Sequence, residues 1–236
     1  MSTDFVAIGV LWYVVFLLST TAHEASHALV AKLGGDLTAF HGGQVSLNPI
    51  PHIRREPFGM VLLPILSYAS GGWMMGWASA PYDPLWQLKH PRRAAWMSLA
   101  GPAANFALVL IAGIAIHVGI AMGAFQAPES ANFQRVVDAT SPGVAEGIAK
   151  FLSLLFSLNV LLGAFNLLPI PPLDGYGALG LLVNDDGARR LEAIRQSVRS
   201  FSFIGLLLCW QIFGRLYGPL FRYALQTLYP TLGYGG

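Results

Sequence analysis

The sequence predicts an all-α polytopic membrane protein, and three observations carry that prediction. Of 236 residues, 54% are hydrophobic and only 11% charged, with a mean hydropathy of +0.54. A soluble domain carries about 25% charged residues, so this chain has too few to cover a water-facing surface. Several uncharged runs, the first over residues 5–22, approach the ~20 apolar residues that a helix needs to span lipid. Pro64, Gly71-Gly72 and the group Pro169, Pro171 and Pro172 interrupt other apolar stretches, so broken elements are expected between the straight ones. The expectation is one integral membrane domain over 1–236, with about four transmembrane helices and a re-entrant or broken hairpin. The net charge of +2 is small and spread out, which gives no argument for nucleic acid. A single cysteine, Cys209, excludes an internal disulfide. The N-terminus lacks the basic region of a signal peptide, so no cleavage is expected.

In chain order, the first helix runs from Phe5 to Leu33, with Lys32 in its last turn and Gly34-Gly35 ending it. Residues 35–55, including "HGGQVSLNPIPH", show no helical period and read as a loop with extended pieces. Residues 57–82 are uncharged but broken at Pro64 and Gly71-Gly72, which fits a re-entrant hairpin better than one straight span. Non-helical backbone at membrane depth must be buried in protein or line a cavity. A polar, proline-punctuated loop, "PYDPLWQLKHPRR", precedes a second span over 94–123. Residues 125–150 form the only long polar insertion, too short for a separate domain of about 50 residues. A third span starts near Phe151 and runs into "FNLLPIPPLDG". Residues 185–200 read as an amphipathic helix on the membrane surface, with Leu191, Ile194 and Val198 on one face. A C-terminal helical region covers 201–228.

Basic residues near the spans set orientation. If 57–82 enters and leaves on one side, Lys32, Arg54, Arg55, Lys89, Arg92, Arg93 and the arginines at 189, 190, 195 and 199 share a face. Only Arg135 and Lys150 lie clearly opposite. The N-terminus is then outside and Lys32 in the cytosol.

An ionisable cluster inside this apolar sequence is a functional signal, because such groups are costly in lipid. His23-Glu24-Ala25-Ser26-His27 is an HExxH pattern. On a helix, positions i and i+4 share a face, so both imidazoles can hold one Zn²⁺, with Glu24 placed to act on a metal-activated water. A catalytic zinc needs a third protein ligand and one open position. Asp174 in "LPIPPLDG" is the only carboxylate between Lys150 and Asp185 and is the candidate. A plain Asp-Gly turn at a helix end is the competing reading.

HExxH in one span, "AGPAANF" opening another and "FNLLPIPPLDG" ending a later one resemble the site-2 protease family of intramembrane zinc metalloproteases. The likeness covers residues 10–182, and "LNPIPHI" and "HPRRAAWMSLAGP" resemble a compact bacterial-type subgroup without a PDZ module. The resemblance implies one zinc per chain held by His23, His27 and Asp174, with Glu24 as general base. It implies cleavage within or beside a transmembrane helix, or a signal-peptide-like segment, at a site near the cytosolic face of a bacterial membrane. It also suggests Asn166 as a clamp for substrate backbone. Asn105 either hydrogen-bonds near the site, where it would contact substrate, or only joins helices.

Residues 36–55 and 72–82 are candidates for short β-strands near the site, where an extended substrate could pair. His41, His52 and His90 fall in loops and read as solvated or interfacial. Of the alternatives, a serine protease at Ser70 lacks the preceding glycine of its motif, and a di-iron desaturase lacks further histidine boxes. A zinc-binding receptor or transporter without proteolytic activity is the remaining alternative. Transport would want ionisable groups through several spans, whereas these converge on one place.

Overall fold

The computed structural model describes residues 3–233. Among them, three helices are long and apolar enough to cross a membrane: Asp4–Leu33, Pro91–Ala121 and Val144–Asn166. Helix α1 (Thr3–Leu33) has 31 residues, about 46 Å at 1.5 Å per residue, which exceeds the ~30 Å of bilayer hydrocarbon. It packs against α6 (Pro91–Ala121) and α7 (Val144–Asn166), which also pack on each other. Val15 and Phe16 of α1, Ala112 and Ile116 of α6, and Leu154 and Leu158 of α7 fill the seam. Lipid is as apolar as these side chains, so close packing and interhelical hydrogen bonds, rather than exclusion of water, hold such a bundle. Its buried amides, Asn105 on α6 and Asn159 on α7, are both completely enclosed.

Helix α1 ends as its glycines predict. Gly35 takes φ +99°, its N–H reaches Lys32 O, and the Asp36 N–H reaches Ala31 O, a Schellman closure. Trp86 Nε1 and Arg93 both donate to Gly34 O at 3.0 Å, placing a cation at the negative end of the helix dipole. Asp36 then latches the following chain. Its carboxylate accepts from the Thr38 amide (2.9 Å) and hydroxyl (2.6 Å), and from the Asp83 amide (2.8 Å). Burial pushes its pKa up, but these hydrogen bonds outweigh burial and hold it below the usual carboxylate value. A depressed folded pKa adds stability that is present above the unfolded value and lost as pH falls through the folded one. Asp36→Ala is therefore expected to lower thermal stability by about 2 kcal/mol at pH 7. The deficit relative to wild type should shrink below about pH 4, read by unfolding of the detergent-solubilised protein.

Residues 58–83 form a hairpin. A π-helical turn, Phe58–Leu62, continues into α4 (Leu63–Gly71), antiparallel to α1: Tyr13 donates its hydroxyl to Met60 O and Tyr68 to Phe5 O. Gly72, at φ +71°, reverses the chain, which returns extended until the Trp77 N–H meets Gly59 O at 3.1 Å. The segment leaves from the same end of α1 at which it entered, with the Asp83 N–H on Asp36 beside the end of α1. Pro64, near the α4 N-terminus, cannot donate to the preceding turn, and the π-turn absorbs the mismatch.

Several expectations need correction. Residues 35–55 are not extended: they hold α2 (Thr38–His41) and α3 (Pro49–Arg55). Asn48 caps α3 by accepting the Ile50 N–H, and Pro49 at the first position needs no donor partner. The next loop likewise contains α5 (Pro84–Lys89), capped by Asp83. No strand among the described residues lies in 36–55 or 72–82. The only two, β1 (Phe125–Gln126) and β2 (Asp138–Ala139), pair antiparallel in the polar insertion, beyond the far end of α6 from the HExxH cluster. Helix α7 starts at Val144, ahead of the apolar run from Phe151, and its first turns carry the exposed Glu146–Lys150 i,i+4 pair at 2.7 Å.

Two short helices follow α7: α8 (Asp174–Ala178) and α9 (Asp185–Ser197). On α9, Ile194 is 52% exposed. Glu192 and Arg195 point inward instead, where Arg195 bonds Glu192, the Tyr82 hydroxyl and Gln87. Finally, α10 (Ser202–Leu228) lays Cys209, Phe213, Phe221, Leu225 and Leu228 against the bundle.

Candidate metal centre

His23, Glu24 and His27 sit on adjacent faces of α1, and all three are buried. The i,i+4 spacing brings the two Nε2 atoms within 3.0 Å, and the Glu24 carboxylate lies within 4.8 Å of the ring nitrogens. Asp174 arrives from α8. The chain leaves α7 at Asn166, folds through the prolines with Leu173 N–H on Ile170 O, and restarts as a helix at Asp174. Its Oδ2 lies 3.0 Å from His23 Nε2 and 3.3 Å from His27 Nε2. The glycines of this segment are required by space: a Cβ on Gly175 would strike the carbonyls of Leu167 and Leu168, and one on Gly177 would strike Ser98. Asp-Gly here is thus a docked helix start rather than a free turn.

Both rings are oriented from behind. His27 Nδ1 lies 2.6 Å from Met97 O, a backbone carbonyl that only accepts, so the proton is on Nδ1 and the Nε2 lone pair is free. The neighbouring Pro102 inside α6 has no N–H for Ser98 O and loosens that turn. His23 Nδ1 lies 2.6 Å from Asn105 Oδ1. Such partners on the second nitrogen are what metal-ligating histidines have.

With both Nδ1 atoms protonated, three acceptors face one another: two Nε2 lone pairs and Asp174 Oδ2, which is buried without a hydrogen-bond donor. Three lone pairs 3.0–3.3 Å apart repel unless a cation lies among them. Tetrahedral zinc with bonds of about 2.0–2.1 Å needs donors about 3.3 Å apart. The donor set and its spacing fit zinc. Gly101 of α6 forms the wall, because a Cβ there would fall inside the van der Waals radii of both Nε2 atoms.

The structure brings His23, Glu24, His27 and Asp174 together. Asn105 is also at the site, but it is completely buried, with its oxygen toward His23 and its nitrogen donating to Asn159 Oδ1. A substrate-contacting role does not fit it. Asn166 is half-buried and donates to Leu162 O of its own helix. His52 is not solvated: it is fully buried, with Nε2 near Ser46 O. Sequence reasoning missed Asn159, Ser19 and Gly101. A lone amide in the apolar stretch "SLNVLLG" was the available signal for the first.

A membrane-embedded helical bundle carrying this cluster belongs to the class of membrane metalloproteases. Peptidase family M50 matches residues 11–210, and the chain belongs to that family, the site-2 proteases; it is a zinc-dependent intramembrane protease. It is 34% identical over 171 residues to "Putative zinc metalloprotease YwhC" of Bacillus subtilis, covering 72% of this chain and 68% of that protein. It is 34% identical over 194 residues to "Putative zinc metalloprotease Rip2" of Mycolicibacterium smegmatis, covering 82% of this chain and 65% of the relative. A protein of the same name from Mycobacterium tuberculosis is 29% identical over 206 residues, covering 87% and 70%. The chain thus spans about two thirds of the length of these relatives. No solved structure matches it.

Proposed function

We propose that His23, His27 and Asp174 hold the zinc, that Glu24 is the general base, and that the reaction is hydrolysis of a peptide bond within or beside a transmembrane or signal-peptide-like segment. The observation that carries this reading is the convergence of three acceptor atoms at 3.0–3.3 Å beside the Glu24 carboxylate. Zinc, when bound, supplies a Lewis acid that polarises the scissile carbonyl and makes a water molecule acidic near neutral pH. Glu24 takes the proton of the attacking water and hands it to the leaving amine. Met97 O and Asn105 Oδ1 keep the two rings turned so that their Nε2 atoms face Asp174.

In this reading the whole of 1–236 is one membrane domain, and α10, about 40 Å long for 27 residues, is a fourth span. Lys32, Arg54, Arg55, Lys89, Arg92 and Arg93 gather at the end of the bundle where the hairpin returns, which makes that end cytosolic. His27 and His23 then lie about 9–15 Å inward of Leu33, near the cytosolic face of a bacterial membrane.

The test is metal analysis with proteolysis of a model transmembrane substrate by purified protein in detergent. Wild type is expected to hold about one zinc and to cleave. Asp174→Ala is expected to lose zinc affinity by more than the ~10–100-fold that removal of an outer partner costs. Wild type that takes up no zinc after reloading would overturn the ligand assignment. Zinc held without cleavage of several substrates would favour a receptor or transporter.

A further inference from the structure

Behind His23 runs a chain of buried polar groups that crosses three helices. His23 Nδ1 lies 2.6 Å from Asn105 Oδ1, and Asn105 Nδ2 donates to Asn159 Oδ1 at 2.8 Å. Asn159 Nδ2 donates to Leu155 O and to Ser19 Oγ, both at 2.8 Å. Ser19, Asn105 and Asn159 are each completely enclosed, so no water competes for these bonds. Amide orientation is settled by such networks, and this one has a fixed origin. Leu155 O is a backbone carbonyl and can only accept. Asn159 must therefore turn its nitrogen toward Leu155 and its oxygen toward α6. Asn105 must then offer its nitrogen to Asn159, leaving its oxygen for His23. An oxygen there can only accept, so His23 carries a proton on Nδ1, and Nε2 is the nitrogen that faces Asp174.

We infer that Asn159 is a positioning residue that fixes the tautomer of His23 through Asn105, with the direction of the relay set by the Leu155 carbonyl. The relay concerns His23 itself, and its bearing on zinc rests on the ligand reading above. Without Asn159, the Asn105 amide is free to present its nitrogen to His23, which favours the Nε2–H tautomer and hides the lone pair that a metal needs. Asn159→Asp keeps the relay: in this enclosed site a neutral carboxyl donates its O–H to Leu155 O and accepts from Asn105 with its second oxygen.

The experiment uses the full chain in detergent micelles, metal-free and with ¹⁵N-labelled histidine. The His23 signals are assigned by their loss in His23→Gln, and zinc affinity is measured separately by chelator competition. Metal-free wild type is expected to show a proton on His23 Nδ1, with or without a second on Nε2 shared with the Asp174 carboxylate. Asn159→Leu is expected to show mixed tautomers and a zinc dissociation constant raised about 10–100-fold. Asn105→Leu should match it, the double variant should be no worse than either single one, and Asn159→Asp should restore both readouts. A folded Asn159→Leu protein with the wild-type tautomer and zinc affinity would overturn the inference. So would an Nε2–H tautomer in metal-free wild type, a result that needs no variant to fold. A wild type that keeps the Nδ1 proton yet binds no zinc would uphold the relay and overturn the metal assignment alone.

Discussion

Replacing Glu24 by Gln is expected to lower peptide hydrolysis by about 10²–10⁴-fold while zinc stays at about one per chain. The two side chains have the same shape, so the packing of α1 against α6 is undisturbed. What changes is proton chemistry: an amide cannot take a proton from water near neutral pH, and it cannot return one to the leaving amine. The carboxylate stands within 4.8 Å of the ring nitrogens, close enough to reach a water held among them. Glu24→Asp separates position from charge. It keeps the carboxylate but withdraws it by one methylene, and a displacement of about 1 Å costs on the order of 10²-fold. The expected order of initial rates on a transmembrane peptide substrate is wild type, then Asp, then Gln, at equal zinc content. A Glu24→Gln protein that cleaves at the wild-type rate would remove Glu24 from the chemistry.

The parts of this site that the sequence disclosed are those whose geometry is local. His23 and His27 share a helix face because of a four-residue spacing, and that needs no knowledge of neighbouring helices. Asp174 was legible for a different reason: a single carboxylate in a long apolar stretch has few uses at membrane depth. The orientation of the rings was hidden, because it depends on α1, α6 and α7 lying side by side, and no sequence window contains Ser19, Asn105 and Asn159 together. Segments 38–41 and 49–55 were missed as helices because four and seven residues are too few to display a 3.6-residue period. The pairing of Glu192 and Arg195 with Tyr82 and Gln87 was hidden too, because those partners lie more than 100 residues earlier in the chain. A paired charge can be buried where a hydrophobic pattern would put leucine.

Gly101→Ala is expected to abolish zinc binding, and with it all cleavage, although it adds only one methyl group. Ideal placement puts that carbon against His23 Nε2, His23 Cε1 and His27 Nε2 at distances real atoms do not adopt. The clash could be relieved by moving the rings or by moving α6. The rings are held from behind by Asn105 and Met97 O, and both of those partners are on α6, so shifting the helix drags the rings' anchors with it. Either movement breaks the triangle of Nε2, Nε2 and Oδ2. A glycine-to-alanine change inside a helix otherwise favours the helix by about 0.5–1 kcal/mol. Gly113→Ala in the same helix, where the nearest atom is Leu228 Cδ1 at 3.4 Å, is therefore the matched control and should leave zinc and activity intact. Equal thermal stability of the two metal-free variants, with zinc lost only from Gly101→Ala, would place the defect at the metal centre. Zinc retained by Gly101→Ala would mean that α6 stands farther from the histidines than the geometry described above.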